Sequence, residues 1–237
     1  MTSLPHDEAR ASILRSIRSH LAESVPRDAI ERASHHVAKG AAASPAPNGT
    51  AVSLVELFKE NLEAVDGHCL VVHSELDVVR AISQIISDLQ ATKLQGRRLA
   101  VSDQPEIERL VRLITIEVDE LAVTPSAHDL FHFDVGITSV QGAIAETGTL
   151  VLDSASERHR LISLVPPVHI AIVEASRICE TLGETLAMLR RDKEISPAVT
   201  FITGPSRTAD IELTLAIGVH GPQELYVIVY DGSLSEG

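Results

Sequence analysis

Five consecutive residues of the stretch "ITGPSRTADIE", Gly204 to Thr208, have the side chains to hold an anion. The apolar run "AVTFIT" stops at Gly204 and Pro205, and the segment after it reads as the start of a helix. Gly204 lets a ligand or backbone come close, and proline suits the first turn of a helix. The amides of Ser206, Arg207 and Thr208 would then be free donors at the positive end of a helix dipole. Arg207 adds a planar cation that grips a carboxylate or phosphate through two hydrogen bonds. In the competing arrangement Ser206 only caps the helix and Arg207 pairs with Asp210 or Glu212.

A second cluster is "AETGT". Glu146 stands beside Thr147, Gly148 and Thr149, with the glycine allowing a chain reversal. A carboxylate there can act as base or nucleophile, or as partner to Arg207; the alternative is a glutamate satisfied by turn amides. His220, in "GVHGP" between Gly218 and Gly221, can serve as acid, base or donor. Arg158 and Arg160 follow an apolar run, and one of them can face the same cavity. His169 lies inside a strand and reads as a core histidine. His128 and His132 are four apart, but a break in the pattern separates them, so no metal site is expected.

These residues need elements to position them. From Val52 the pattern alternates. "VSLVELFKENLEAV" is an amphipathic helix, "HCLVVH" a strand, "ELDVVRAISQIISDLQA" a helix, "RRLAVS" a strand and "PEIERLVRLI" a helix. That alternation predicts a mostly parallel α/β sheet flanked by helices, with right-handed crossovers. Residues 133–155 lack helical period and read as a strand, a bend and two strands turning near Glu146–Gly148. "PPVHIAIVE", "AVTFIT" and "ELYVIVYD" are further strands, and "ICETLGETLAMLRR" and "SRTADIELTLAIG" further helices. Residues 4–21 form an amphipathic helix carrying Ile13, Leu14, Ile17 and Leu21, and "GAAASPAPNG" (40–49) is a linker by composition. Residues 1–50 are therefore expected to be a helical arm and linker, and 51–237 the α/β domain. The arm can dock on its own domain or on another subunit of a homo-oligomer.

The 237 residues are 44% hydrophobic, with no tryptophan and a formal charge of −13. Such an acidic chain is poorly suited to a nucleic-acid backbone, which demands Lys and Arg. Cys69 and Cys179 are the only cysteines and sit in apolar runs, too few for a four-thiolate cluster. No redox cofactor is expected in the chain. There is no apolar signal region and no apolar stretch of spanning length, so a cytoplasmic location is expected.

Four segments in order, "AIAETGTLVL" (143–152), "LISLVPPVHIAIV" (161–173), "ITGPSRTADIE" (202–212) and "GVHGPQELYVIV" (218–229), resemble the LUD-domain family, in its lactate-utilization protein C branch. The N-terminal helix, linker and "LVELFKENL" entry are similar as well. The resemblance implies the fold shared by ribose-5-phosphate isomerases, glucosamine-6-phosphate deaminases and CoA transferases. It also implies a place in oxidation of L-lactate to pyruvate, beside iron–sulfur partner proteins that carry the electrons. Within it this chain would bind a small organic anion or those partners. The surroundings of Glu146 also resemble the glutamate–asparagine–glycine turn of CoA transferases, with Thr147 in place of asparagine. A transferase- or isomerase-like enzyme using Glu146 is the second reading.

Overall fold

The computed structural model describes residues 15–16, 53–154, 160–192, 198–208, 216–217 and 221–232. The chain divides into Met1–Thr50 and Ala51–Gly237. Of the predicted N-terminal helix only Arg15 and Ser16 are described, both helical and exposed.

In the second unit, helix α1 (Leu54–Glu63) opens with a capping box between Ser53 and Glu56 and buries Phe58 and Leu62. Strand β1 (His68–Val72) follows, then α2 (Glu75–Gln90), capped by Ser74. The spacing of Val78, Val79, Ile82, Ile85, Ile86 and Leu89 gives α2 one continuous apolar face, and all six are buried. Next come β2 (Arg98–Val101), α3 (Pro105–Arg112), β3 (Glu120–Val123) and β4 (Val135–Ser139). Strands β5 (Gly142–Ile144) and β6 (Thr149–Asp153) form a hairpin about the 3-10 turn Ala145–Thr147. Then follow β7 (Val168–Glu174), β8 (Ile178–Cys179), α4 (Leu182–Asp192), β9 (Val199–Ile202), β10 (Arg207–Thr208), β11 (Ala216–Ile217) and β12 (Glu224–Tyr230).

Six strands form one parallel sheet in the order β1-β12-β7-β4-β2-β3. Its central strands are apolar on both sides, as a sheet covered on both faces requires. One face presents Leu99, Val101, Ile137, Ile170 and Ile228 to α2 and α3. The other presents Ala171, Val173, Val227 and Val229 to α1 and to a second sheet, β8-β5-β6-β9. This is the α/β architecture that the alternating pattern predicts, and residues 133–154 fold as read, with the turn at residues 145–148.

Two predicted helices differ. The run from residue 178 starts as strand β8, pairing with β5, and becomes helical only at Leu182. The predicted helix after Pro205 is not present where the chain is described. Arg207 and Thr208 are extended and pair antiparallel with Ile217 and Ala216. Residues 209–215 and 218–220, including His220, lie outside the described residues.

Candidate functional site

The glycine turns of the two sequence clusters come together through the second sheet. β6 and β9 pair antiparallel, Leu150 opposite Ile202, which brings "AETGT" beside "ITG". Thr149 Oγ1 lies 2.7 Å from Thr147 Oγ1 and 2.7 Å from Thr203 Oγ1, so three hydroxyls form one chain between the turns. Gly148 has φ 61°, and a Cβ there would stand 2.4 Å from the Leu62 amide nitrogen. Asn61 Nδ2 donates to Ala145 O at 2.8 Å. The glycine therefore lets the hairpin turn seat on the backbone of α1. Glu146 is exposed beside it, and its amide donates to Glu180 O at 3.1 Å.

Gly204 plays a similar part. With φ 81°, it sits where a Cβ would come within 2.8 Å of Val65 O, in the turn between α1 and β1. That turn leads into the amino end of β1. Gly204 follows β9, which belongs to the second sheet, and its turn packs on Val65 near the amino end of β1. Nor are its amides arrayed as a helix start: the Ser206 amide donates to Pro222 O at 2.8 Å. Arg207 pairs with Asp66, and Asp210 and Glu212 lie outside the described residues. The adjoining cleft, about 510 Å³, is lined by Glu63, Asp66, His68, Arg207 and Glu224 among others. Among the described residues, three carboxylates line it together with one arginine and one histidine. Arg160 begins the 3-10 turn Arg160–Ser163, packed against β4 and β7, and does not line this cleft.

The carboxyl edge of the parallel sheet carries a different set of groups. β2 leads outward to β3 by way of α3 on one face, while β4 leads inward to β7 by way of the second sheet on the other. The connections from β2 and β4 therefore leave on opposite faces, which makes this place a topological switch point of the kind where α/β folds hold ligands. Ser102 follows β2 directly, and its amide donates to Ile137 O at 3.0 Å. Its side chain is fully buried, and its hydroxyl has no hydrogen-bond partner among the described residues. Asp103 Oδ1 is likewise buried without a partner. Thr124, at φ 44°, donates its amide to Val101 O at 2.9 Å, next to Ser102. Between β4 and β5, Gln141 accepts from the Asp153 amide at 2.9 Å and donates to Ser139 Oγ at 3.2 Å.

A model of the LUD domain matches residues 55–230. The chain belongs to the LUD domain family. Among its relatives, a lactate utilization protein C of Exiguobacterium sp. is 47% identical over 41% of this chain and 45% of its own length. A lactate utilization protein C of Geobacillus sp. is 31% identical over 73% of this chain and 79% of its own. The match thus spans less than half the length of the first relative and most of the second. The crystal structure of a DUF162 family protein from Deinococcus radiodurans shares the fold, with TM-score 0.52 and 23% identity over 75% of this chain and 96% of that one.

Among the described residues of this LUD domain the buried histidine is His169, on β7. Its Nε2 lies 2.9 Å from Thr138 Oγ1, while Nδ1 has no partner among the described residues. Burial alone depresses its pKa to about 3, so the ring is neutral at physiological pH. Burial also pushes the Cys69 thiol up to about 12, which leaves it unreactive. No helix among the described residues is long and apolar enough to cross a membrane. Sequence reasoning passed over Ser102 and Asp103, although "AVSDQPE" has the form that singled out "FITGPSR": an apolar strand, small polar residues, then proline.

Proposed function

We propose that this LUD-domain chain is a component of an L-lactate utilization system, taking part in oxidation of lactate to pyruvate without a redox centre of its own. The two electrons removed from lactate leave through iron–sulfur partner proteins while the two protons pass to solvent, and this chain binds a small organic anion or those partners. The observation that carries the reading is the 31% identity with a lactate utilization protein C across 73% of the chain. Two cysteines are too few for a four-thiolate cluster, and burial holds Cys69 protonated, which supports the reading without a redox centre.

The test is a deletion strain grown on L-lactate as sole carbon source. Growth is expected to fail and to return when the chain is supplied on a plasmid. Affinity capture of the tagged chain from lactate-grown cells is expected to bring down proteins with stoichiometric iron and sulfide. Normal growth of the deletion strain would overturn the proposal.

A further inference from the structure

Strand β1 ends the parallel sheet, and among the described residues no strand pairs with its outer edge. Natural sheets guard such an edge with lysine, proline or a bulge. The strand "HCLVV" has no lysine, no proline and no carboxylate, and it pairs in unbroken register with β12. Leu70 and Val71 are instead 40% and 38% exposed. An apolar edge of that kind is a template for another strand. Beside it runs a cleft of about 580 Å³ between β1 and α2. Cys69 packs with α1 on the other face of the sheet, so strand alternation turns His68, Leu70 and Val72 toward α2. All three line the cleft, and so do Arg80, Gln84 and Asp88 of α2.

Arg80, Gln84 and Asp88 are four apart, so they stand in one row on the helix, and all three are exposed. The cation and the carboxylate lie at equal spacing on either side of Gln84. Such a row is complementary to its own reverse. A two-fold axis at Gln84 sets Arg80 of each copy against Asp88 of the other. The strand has the same symmetry: antiparallel pairing about its middle residue sets Leu70 against Leu70 of the second copy, and His68 against Val72. The spacing agrees as well. α2 packs on both β1 and β12, so its copy would lie about two strand spacings away. That is roughly 10 Å, the ordinary distance between packed helices. Arg80 donates to Asp77 at 3.0 Å and Asp88 accepts from Gln84 at 2.8 Å, and each group has further capacity for a second partner.

We propose that this chain forms a two-fold dimer in which β1 pairs antiparallel with β1 of a second copy. The two α2 helices pack across the joint, with Arg80 of each copy against Asp88 of the other. The parallel sheets of the two copies become one sheet, and because the same edge of each copy is consumed, the assembly closes at two.

Sedimentation equilibrium of the full chain tests this. Wild type is expected at twice the 25.5 kDa of one chain. Leu70→Glu sets two carboxylates against each other on the axis and is expected to give a monomer, with circular dichroism showing that it is folded. Arg80→Asp alone and Asp88→Arg alone oppose like charges. Each is expected to weaken the dimer by roughly tenfold, since the axis repeats the clash. The double variant Arg80→Asp/Asp88→Arg is expected to restore it. These charge variants sit at exposed helix positions and carry the test if Leu70→Glu misfolds. A monomeric wild type would overturn the proposal and leave the edge to a strand of another protein. A dimer that folded Leu70→Glu leaves intact would place the interface elsewhere and also overturn it. Single reversals without effect, or a double variant no better than either single one, would overturn the two-fold at Gln84.

Discussion

Thr149 Oγ1 bridges Thr147 and Thr203 at 2.7 Å to each, so one hydroxyl links the turn at Gly148 to the turn at Gly204. Thr149 is only 5% exposed, which puts the cost of breaking the chain inside the protein. Thr149→Val keeps the shape and deletes the hydroxyl. It is expected to destabilise the fold by about 1–2 kcal/mol. Urea denaturation would show a lower midpoint with an unchanged slope. An unchanged midpoint would mean that the flanking hydroxyls are satisfied without it.

The Arg207–Asp66 pair makes a contrasting prediction. Its side chains are 43% and 65% exposed, so solvent screens the attraction. Arg207→Gln is expected to change stability by less than about 1 kcal/mol. Among the described residues, three carboxylates line the cleft beside Arg207, and binding of L-lactate by this variant is expected to match wild type in calorimetry. A tenfold loss of affinity would place the anion site at Gly204–Thr208 after all.

The contrast shows which parts of the molecule were legible beforehand. Strands such as "HCLVV" and helices such as "ELDVVRAISQIISDLQ" carry their period locally, and both formed as read. "SRTADIELTLAIG" has helical composition, yet Arg207 and Thr208 are drawn into a pairing with Ala216 and Ile217. That outcome depends on tertiary contacts, including the Ser206 amide on Pro222 O, which no local pattern records. The two glycine turns were visible as turns. Which sheet they serve was not, because β9 joins the second sheet and not the parallel one. Ser102 and Asp103 escaped notice because isolated Ser and Asp at a strand end are common; burial without a partner is what sets them apart, and that appears only in three dimensions.

His169 gives the protein a built-in acid sensitivity. Its ordinary pKa of 6.5 falls to about 3 in the fold because burial disfavours the charged ring. Between those values the unfolded chain binds a proton that the folded chain does not. Stability from this residue is therefore complete above about pH 6.5 and falls as pH drops toward 3. The slope approaches ~1.4 kcal/mol per pH unit. Urea midpoints measured from pH 7 to pH 4 should fall for wild type and less steeply for His169→Gln. Parallel curves would show that the ring is protonated in the folded state.

Residues 1–50 are proposed to be dispensable for folding of the LUD domain, since the family match begins at residue 55 and the first capped helix among the described residues at Leu54. A chain beginning at Ala51 is expected to melt cooperatively within a few degrees of the full chain. Loss of a cooperative transition would make the arm part of the core.

The chain is proposed to be required for lactate oxidation while holding no redox centre of its own. Reconstitution tests it directly. Extract from the deletion strain is supplemented with the purified chain, and L-lactate-dependent reduction of an artificial electron acceptor is followed. The account predicts no activity from the purified chain alone, little from the extract alone, and recovery when they are combined. Lactate-dependent reduction by the purified chain by itself, or full activity in the unsupplemented extract, would contradict it.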